Sequence, residues 1–170
     1  MRELDGAGDD ARREIETDHL ELTSWASDGI LRGGNRVALA LDIALDDKMH
    51  VYAPGVEGYI AVDWKMEETA GLRVYDADYP EPEMLHLPAI GETVPVFEGS
   101  TRFLRDVMIG QPDEIEHLLD EDGKLVVKGA LRYQARDDKV CYLPQTVPLE
   151  SRFELEQHDR TRAPEELRRK

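Results

Sequence analysis

Short segments in which apolar and polar residues alternate recur along this chain at intervals of about ten residues. In the clearest of them, residues 36–45, every second position from Val37 to Leu45 is apolar. Alanine and leucine also favour helices, but this alternation has the period of a strand. No strand–helix–strand rhythm is present, so we predict an all-β fold, an immunoglobulin-like antiparallel β-sandwich. The expected strands, about seven or eight in all, include 19–25, 36–45, 59–64, 72–75, 102–109, 124–134 and 150–157.

The charge of the chain limits its partners. The 170 residues include 37 acids and 21 bases, which gives a formal net charge of −16. Such a field repels phosphate backbones, so we expect no nucleic-acid partner. The basic cluster 168–170 is interpreted as a solvated tail. No apolar run approaches the roughly 20 residues of a membrane-spanning helix, so we expect no membrane insertion by this chain.

Composition divides the chain into three parts. Residues 1–16 are polar and lack apolar periodicity, so we interpret them as a linker or a frayed helix, and the first ten do not resemble a signal peptide. Residues 17–157 contain the alternating segments and are predicted to form one domain. Residues 158–170 are predicted to form a polar tail.

Residues 133–149 contain Cys141, the only cysteine of the chain. A predicted strand runs into this segment, Asp137 and Asp138 interrupt it, and Pro144 and Pro148 follow. Residues that flank a short hairpin connection can lie within the roughly 5.5–6 Å that a disulfide needs between Cα atoms. A cysteine at position 136 could therefore pair with Cys141, whereas Arg136 cannot.

The run Tyr-Gln-Ala-Arg-Asp-Asp-Lys-Val-Cys-Tyr-Leu-Pro-Gln-Thr-Val-Pro-Leu at 133–149 closely resembles the N-terminal domain of the thiol:disulfide interchange reductase DsbD. In that family a cysteine normally stands at the position of Arg136. Residues 50–54 are similar to an early strand-end signature of the family, and 96–99 to its cap loop. The resemblance covers about residues 18–157 and implies the immunoglobulin-like sandwich.

The resemblance also implies a role for several residues. Phe97 would be the aromatic of the cap loop that covers the disulfide, and Tyr52, Tyr142 and Asp137 would belong to the same partner-binding surface. Members of the family pass electrons to periplasmic thioredoxin-like proteins, which implies an extracytoplasmic location. Because exchange needs a second thiol to resolve the mixed disulfide, Arg136 puts the reductase cycle in question.

Cys141 has two interpretations. As a reactive thiol it would be assisted by Arg136 and Lys139, whose charge favours the thiolate, while Asp137 and Asp138 would oppose them. As a structural residue it would be a small apolar side chain packed beneath a loop. The second interpretation is the commoner one for a free cysteine.

Other kinds of chemistry find little support. The five histidines are scattered, without the spacing of a metal site, and we expect neither metal nor cofactor. No phosphate-binding glycine loop or nucleophile elbow is present. An unrelated enzyme using the region of Phe97 and His86 is a third hypothesis without a specific motif behind it.

Two functional hypotheses therefore remain in front. In the first, the domain docks a thioredoxin-like or peroxiredoxin-like partner without intrinsic catalytic activity; a fused redoxin domain would raise the effective concentration of that partner. In the second, Cys141 exchanges disulfides alone, through mixed disulfides with a partner that supplies the resolving thiol.

Overall fold

The computed structural model describes residues 12–88 and 90–156, which form an immunoglobulin-like β-sandwich with little helix. This confirms the predicted fold class. The elements are β1 Arg13–Glu16, β2 Leu20–Ala26, β3 Ile30–Leu31, β4 Arg36–Leu45, β5 His50–Tyr52, β6 Asp63–Met66, β7 Leu72–Val74, β8 Glu83–Leu87, β9 Glu92–Glu98, β10 Ser100–Ile109, α1 Pro112–Ile115, β11 Leu125–Tyr133, β12 Ala135–Arg136 and β13 Gln145–Leu155.

Two larger sheets enclose the main core. The first has five strands in the order β1-β2-β4-β10-β7, and its longest ladder joins β4 to β10. The second has the order β3-β13-β11-β6, in which β3 pairs with β13 in parallel and the other strands are antiparallel. Leu41 and Phe103 from the first sheet share one buried cluster with Leu131 and Phe153 from the second. Alternation therefore gives each sheet one apolar face, and the two faces meet.

A smaller sheet, in the order β12-β5-β9-β8, extends the sandwich. Its two faces differ because successive residues of a strand point in opposite directions. Val51, Phe97 and Ala135 join the main core. Tyr52 and Val96 face the other way, into a second buried cluster that Tyr59 partly covers. This second face carries the candidate site.

Several segments differ from the sequence expectation. Residues 13–16, placed in the linker or frayed helix, form β1 and pair with β2. A single partly buried apolar residue, Ile15, packs on the core there, so the pattern was too short to detect. In the segment 59–64 only Asp63 and Trp64 lie in a strand, whereas residues 83–87, which the expected strands did not include, form β8. Residues 1–11 and the predicted tail 158–170 lie outside the described residues, and the domain bounds stay a prediction.

Helix is confined to short pieces in the part of the chain that the structure describes. Pro112 begins α1, as its sequence predicts. The Gln111 N–H donates to the Glu114 carboxylate at 2.8 Å, and one turn of 3-10 helix follows at Glu116–Leu118. None of these described helices is long and apolar enough to span a membrane.

Candidate functional site

The site is built on a tight hairpin that leaves β12 and returns at Cys141. Asp137 closes the turn: its N–H donates to the Val140 carbonyl at 2.9 Å, and its Oδ1 accepts the N–H groups of Lys139 and Val140, each at 2.7 Å. Aspartate favours such turns because its short carboxylate can replace a backbone acceptor. Asp137 is therefore a turn-forming residue, and its sequence position beside Asp138 already indicated the break in the strand.

Arg136 and Cys141 lie directly opposite each other, as the sequence analysis expected of two residues at the ends of this hairpin. The flanking hydrogen bonds run from the Asp137 N–H to the Val140 carbonyl and from the Tyr142 N–H to the Ala135 carbonyl. These bonds make positions 136 and 141 a non-hydrogen-bonded antiparallel pair, in which the side chains approach most closely.

Cys141 is exposed. The interpretation of this residue as a small apolar side chain packed beneath a loop is therefore wrong. Two neighbours are also exposed although they are apolar: Val140 retains 46% of its surface and Leu143 retains 83%. An accessible thiol thus lies in a short segment that also exposes two apolar side chains.

Tyr52 connects the thiol to the arginine. Its hydroxyl lies 3.4 Å from the Cys141 Sγ and accepts a hydrogen bond of the same length from the Arg136 Nη1. The tyrosine ring is fully buried and stacks on Tyr59, with 4.4 Å between centroids. Burial, reinforced by the contact with Cys141 and opposed by Arg136, raises the pKa of Tyr52 to about 12. Tyr52 consequently keeps its proton at neutral pH and can donate it to the sulfur.

Arg136 is a buried cation, with only 9% of its surface exposed. Its Nε donates to the Asp137 carbonyl at 3.0 Å, and its Nη1 reaches Tyr52. Burial of a guanidinium is tolerated where polar acceptors surround it. The side chain therefore has a defined orientation beside Cys141.

Tyr142 fastens the hairpin to the rest of the domain. Its hydroxyl donates to the Asp137 Oδ2 at 2.8 Å, and this bond raises the pKa of Tyr142. Its ring lies against His19 from the start of β2, with 4.6 Å between centroids. Tyr52, Tyr142, Asp137, Arg136 and Cys141 are therefore brought together, although the sequence assigned the first three to a cap and a partner-binding surface rather than to a hydrogen-bonded network.

Phe97 does not join this group. The segment predicted to be a cap loop continues as strand β9 up to Glu98, and Phe97 is buried against Phe103 at 5.3 Å between centroids. Phe97 pairs with Val51, whereas the site residue Tyr52 points to the opposite face. The assignment of Phe97 as a cap over the thiol is therefore wrong, because strand alternation turns its ring into the main core.

Gln134 and the pair formed by His50 and Glu98 also contribute to the site, and the sequence did not identify them. Gln134 donates to the Tyr142 carbonyl at 3.0 Å and accepts the Ile60 N–H at 2.9 Å, so it links the hairpin to the loop before β6. His50 bonds to Glu98 at 2.8 Å beside Arg136. The position of Gln134 inside the 133–149 motif was a usable signal. His50 and Glu98 are 48 residues apart, and no sequence signal joined them.

Metal chemistry has no visible basis within residues 12–88 and 90–156. No three His, Cys, Asp or Glu side chains of that part of the chain converge as metal ligands. What the arrangement can do chemically is expose one thiol to solvent and hold a hydroxyl hydrogen-bond donor and a positive charge behind it.

The carboxylate of Asp137 should stabilise the fold in a pH-dependent way. The backbone N–H groups of Lys139 and Val140, followed by the Tyr142 hydroxyl, lower the pKa of Asp137 to about 2. An unfolded aspartate titrates near 3.9, so this stabilisation is fully present above about pH 4 and is lost as the pH falls through about 2.

Asp137→Asn is therefore expected to lower the free energy of unfolding at neutral pH, and to lower it progressively less as the pH falls below about 4. Urea unfolding of both proteins over a range of pH measures the difference. Asp138→Asn, at the exposed neighbouring position, is the control and should show little effect. A penalty for Asp137→Asn that stays constant with pH would contradict the role of the charge.

Arg136→Cys should create a disulfide with Cys141. Cα atoms of a non-hydrogen-bonded pair lie about 4.5 Å apart, within the roughly 4.4–6.8 Å that disulfides span. After mild oxidation of the folded monomer, mass spectrometry should count no free thiol in the variant and one in the parent. Arg136→Ser is the matched control and should retain one. Two persistent thiols in folded Arg136→Cys would show that the pairing register is wrong.

Comparison with known structures agrees with this fold. The N-terminal periplasmic domain of ScsB from Proteus mirabilis superposes with a TM-score of 0.59 at 15% identity, and the match covers 87% of this chain and 53% of that one. This chain therefore spans about half the length of that relative. The reduced N-terminal domain of Neisseria meningitidis DsbD matches at 13% identity and a TM-score of 0.46, over 69% of this chain and 78% of that one.

No curated protein matches the sequence. The family model for the N-terminal region of the thiol:disulfide interchange protein DsbD matches residues 29–151, which are most of the chain and include the whole hairpin. The chain therefore belongs to the family of the DsbD N-terminal domain, a thiol–disulfide exchange module.

Proposed function

We propose that this domain docks a thioredoxin-like or peroxiredoxin-like partner through the surface around Cys141, and that it has no catalytic cycle of its own. The observation that carries the proposal is the pairing of one exposed thiol with a guanidinium. The residue opposite Cys141 is Arg136, and it has no sulfur. Binding of a partner can therefore be separated from disulfide exchange, because the surface around Cys141 is present whereas a second thiol to resolve the mixed disulfide is not.

The missing group limits the chemistry. In exchange, a thiolate attacks a disulfide, one S–S bond forms as the other breaks, and the displaced sulfur leaves as a thiolate. Release of the partner in its reduced form then needs a second thiol to attack the mixed disulfide. Cys141 is the only cysteine in the chain. The domain alone can therefore reach a mixed disulfide but cannot resolve it.

The docking surface consists of Val140, Cys141 and Leu143. Exposed apolar groups on either side of the thiol suit a partner whose own exposed cysteine has an apolar rim, since the buried centre of an interface is more apolar than its edge. Asp138 and Lys139, both exposed at the hairpin tip, would lie at the polar edge. The high negative charge of the whole chain would favour a partner that is neutral or basic around its cysteine.

The proposed compartment and partner follow the family. One structural relative is a periplasmic domain, and the same location is proposed for this domain. A redoxin domain fused in the same protein would serve as a partner at modest intrinsic affinity, because tethering supplies a high effective concentration.

A second candidate function is thiol–disulfide exchange by Cys141 alone, with a partner that supplies the resolving thiol. The contact between the Tyr52 hydroxyl and the Cys141 Sγ favours it, since a hydroxyl that accepts from Arg136 directs its own proton toward the sulfur. A hydrogen-bonded thiolate is the reactive form of cysteine. This candidate and the docking candidate predict different covalent products.

Docking should depend on Leu143 and not on the sulfur. The probes are a thioredoxin and a peroxiredoxin whose reactive cysteines are all serine, so that only non-covalent binding is measured. Cys141→Ser should bind like the parent, whereas Leu143→Asp should weaken binding by about fivefold or more, because it places a charge in the centre of the interface.

Met84→Asp is the matched control, because Met84 is an exposed apolar residue on β8, away from the hairpin. It should leave binding unchanged. Isothermal titration calorimetry gives the dissociation constants. Failure of both probes to bind the parent, or equal weakening by Leu143→Asp and Met84→Asp, would overturn the docking proposal.

The parent chain should not turn over. In a coupled assay that reduces a thioredoxin-like disulfide without small thiols, we expect no more than one event per chain, because the mixed disulfide has no resolving thiol. Cys141→Ser, the control, should give none. A stable mixed disulfide with the parent would favour the exchange candidate, whereas sustained turnover that Cys141→Ser abolishes would refute the absence of a catalytic cycle.

A further inference from the structure

Four side chains form a line across the small sheet and the hairpin. Backbone pairing places Cys141 opposite Arg136, Arg136 opposite His50, and His50 opposite Glu98. Directly opposite residues of antiparallel strands project from one face, with Cβ atoms about 4.5–5.5 Å apart. This cross-strand row therefore aligns a thiol, a guanidinium, an imidazole and a carboxylate, and it ends at the exposed sulfur.

His50 is the unusual member of the row. Only 8% of its surface is exposed, its Nε2 lies 2.8 Å from the Glu98 Oε1, and its Nδ1 is buried without a hydrogen-bond partner in the described part of the chain. A hydrogen bond shared with Glu83, and then the bond from His50, lower the pKa of Glu98, while the same shared bond raises the pKa of Glu83. A neutral His50 can therefore donate from Nε2, and a second proton would place a full charge inside the row.

Few charged groups of the described residues lie near His50. Arg136 faces it from β12 and Glu98 faces it from β9, while Glu83 on β8 reaches Glu98. Asp46, Asp47 and Lys48, in the turn before β5, are exposed to solvent. With His50 neutral, the row itself contains one positive charge, on Arg136, and one negative charge, on Glu98, and Glu83 beside the row adds a negative charge where it is ionised. With His50 protonated, the row carries one additional positive charge near Cys141.

We propose that His50 is a positioning residue. Its protonation adds a positive charge on the side of Arg136 that is opposite Cys141, and this charge preserves the reactivity of the Cys141 thiol below neutral pH. This inference deepens the proposed function, since it concerns regulation of the same site. Arg136 stays hydrogen-bonded to Tyr52, and the additional charge on its far side stabilises a thiolate at the end of the row.

The expected size of the effect follows from the distance. Two strand spacings separate His50 from Cys141, about 10 Å in all. At that distance, with a dielectric constant between those of a protein surface and water, a unit charge changes the equilibrium between a thiol and its thiolate by about fourfold. The effect should appear only where His50 carries a second ring proton, so it should vary with pH.

The test is the rate of Cys141 alkylation by iodoacetamide, measured from about pH 5.5 to about pH 8.5, the range that spans histidine titration. The parent and His50→Gln should react at similar rates at the alkaline end. At the acid end of the range the parent should react about fourfold faster than His50→Gln.

His86→Gln is the matched control. His86 is an exposed histidine on β8, bonded to Thr93, and it lies outside the row. Its profile should superpose on that of the parent. Superposition of the His50→Gln profile on the parent profile, with the variant folded, would overturn the inference. Because the assay uses a small reagent and no protein partner, this result is independent of whether the docking proposal succeeds.

Discussion

Backbone pairing between β12 and β5 is the constraint on which the site depends. Two residue pairs, Ala135 with Val51 and Arg136 with His50, fasten the start of the hairpin to the small sheet. Ala135 and Val51 point into the main core and are almost fully buried. Burial on one face thereby sets the register of the other face, since a slip of one residue would exchange the two faces.

This register explains how an exposed thiol can have a buried environment on one side. Cys141 lies on the returning arm of the hairpin, where solvent reaches it. Behind it, Tyr52 and Arg136 are buried and hydrogen-bonded to each other. Polar groups in such surroundings interact more strongly than in water, because the local dielectric constant is lower. The chemistry of the sulfur therefore depends on residues that are themselves buried.

We propose that Arg136 distinguishes this site from those of other members of the family. The resemblance places a redox cysteine at this position, and we propose that the arginine separates docking from catalysis. A guanidinium cannot form a disulfide, yet it fills the space opposite Cys141 and hydrogen-bonds to Tyr52 and the Asp137 carbonyl. The hairpin thus keeps an ordered shape without a covalent cross-link.

The sequence by itself determined the all-β class, the hairpin and the placement of Arg136 opposite Cys141, because these follow from alternation and turn chemistry within a few residues of each other. It did not determine which aromatic lies near the sulfur. Phe97 and Tyr52 each occupy a strand, and only the pairing of β5 with β9 shows that they face opposite sides. The short strand β1, the exposure of Cys141 and the contact of His50 with Glu98 were likewise decided by the tertiary structure. The contact of His50 with Glu98 joins residues 48 positions apart, and the burial that fixes all three features exists only after the sheets have packed.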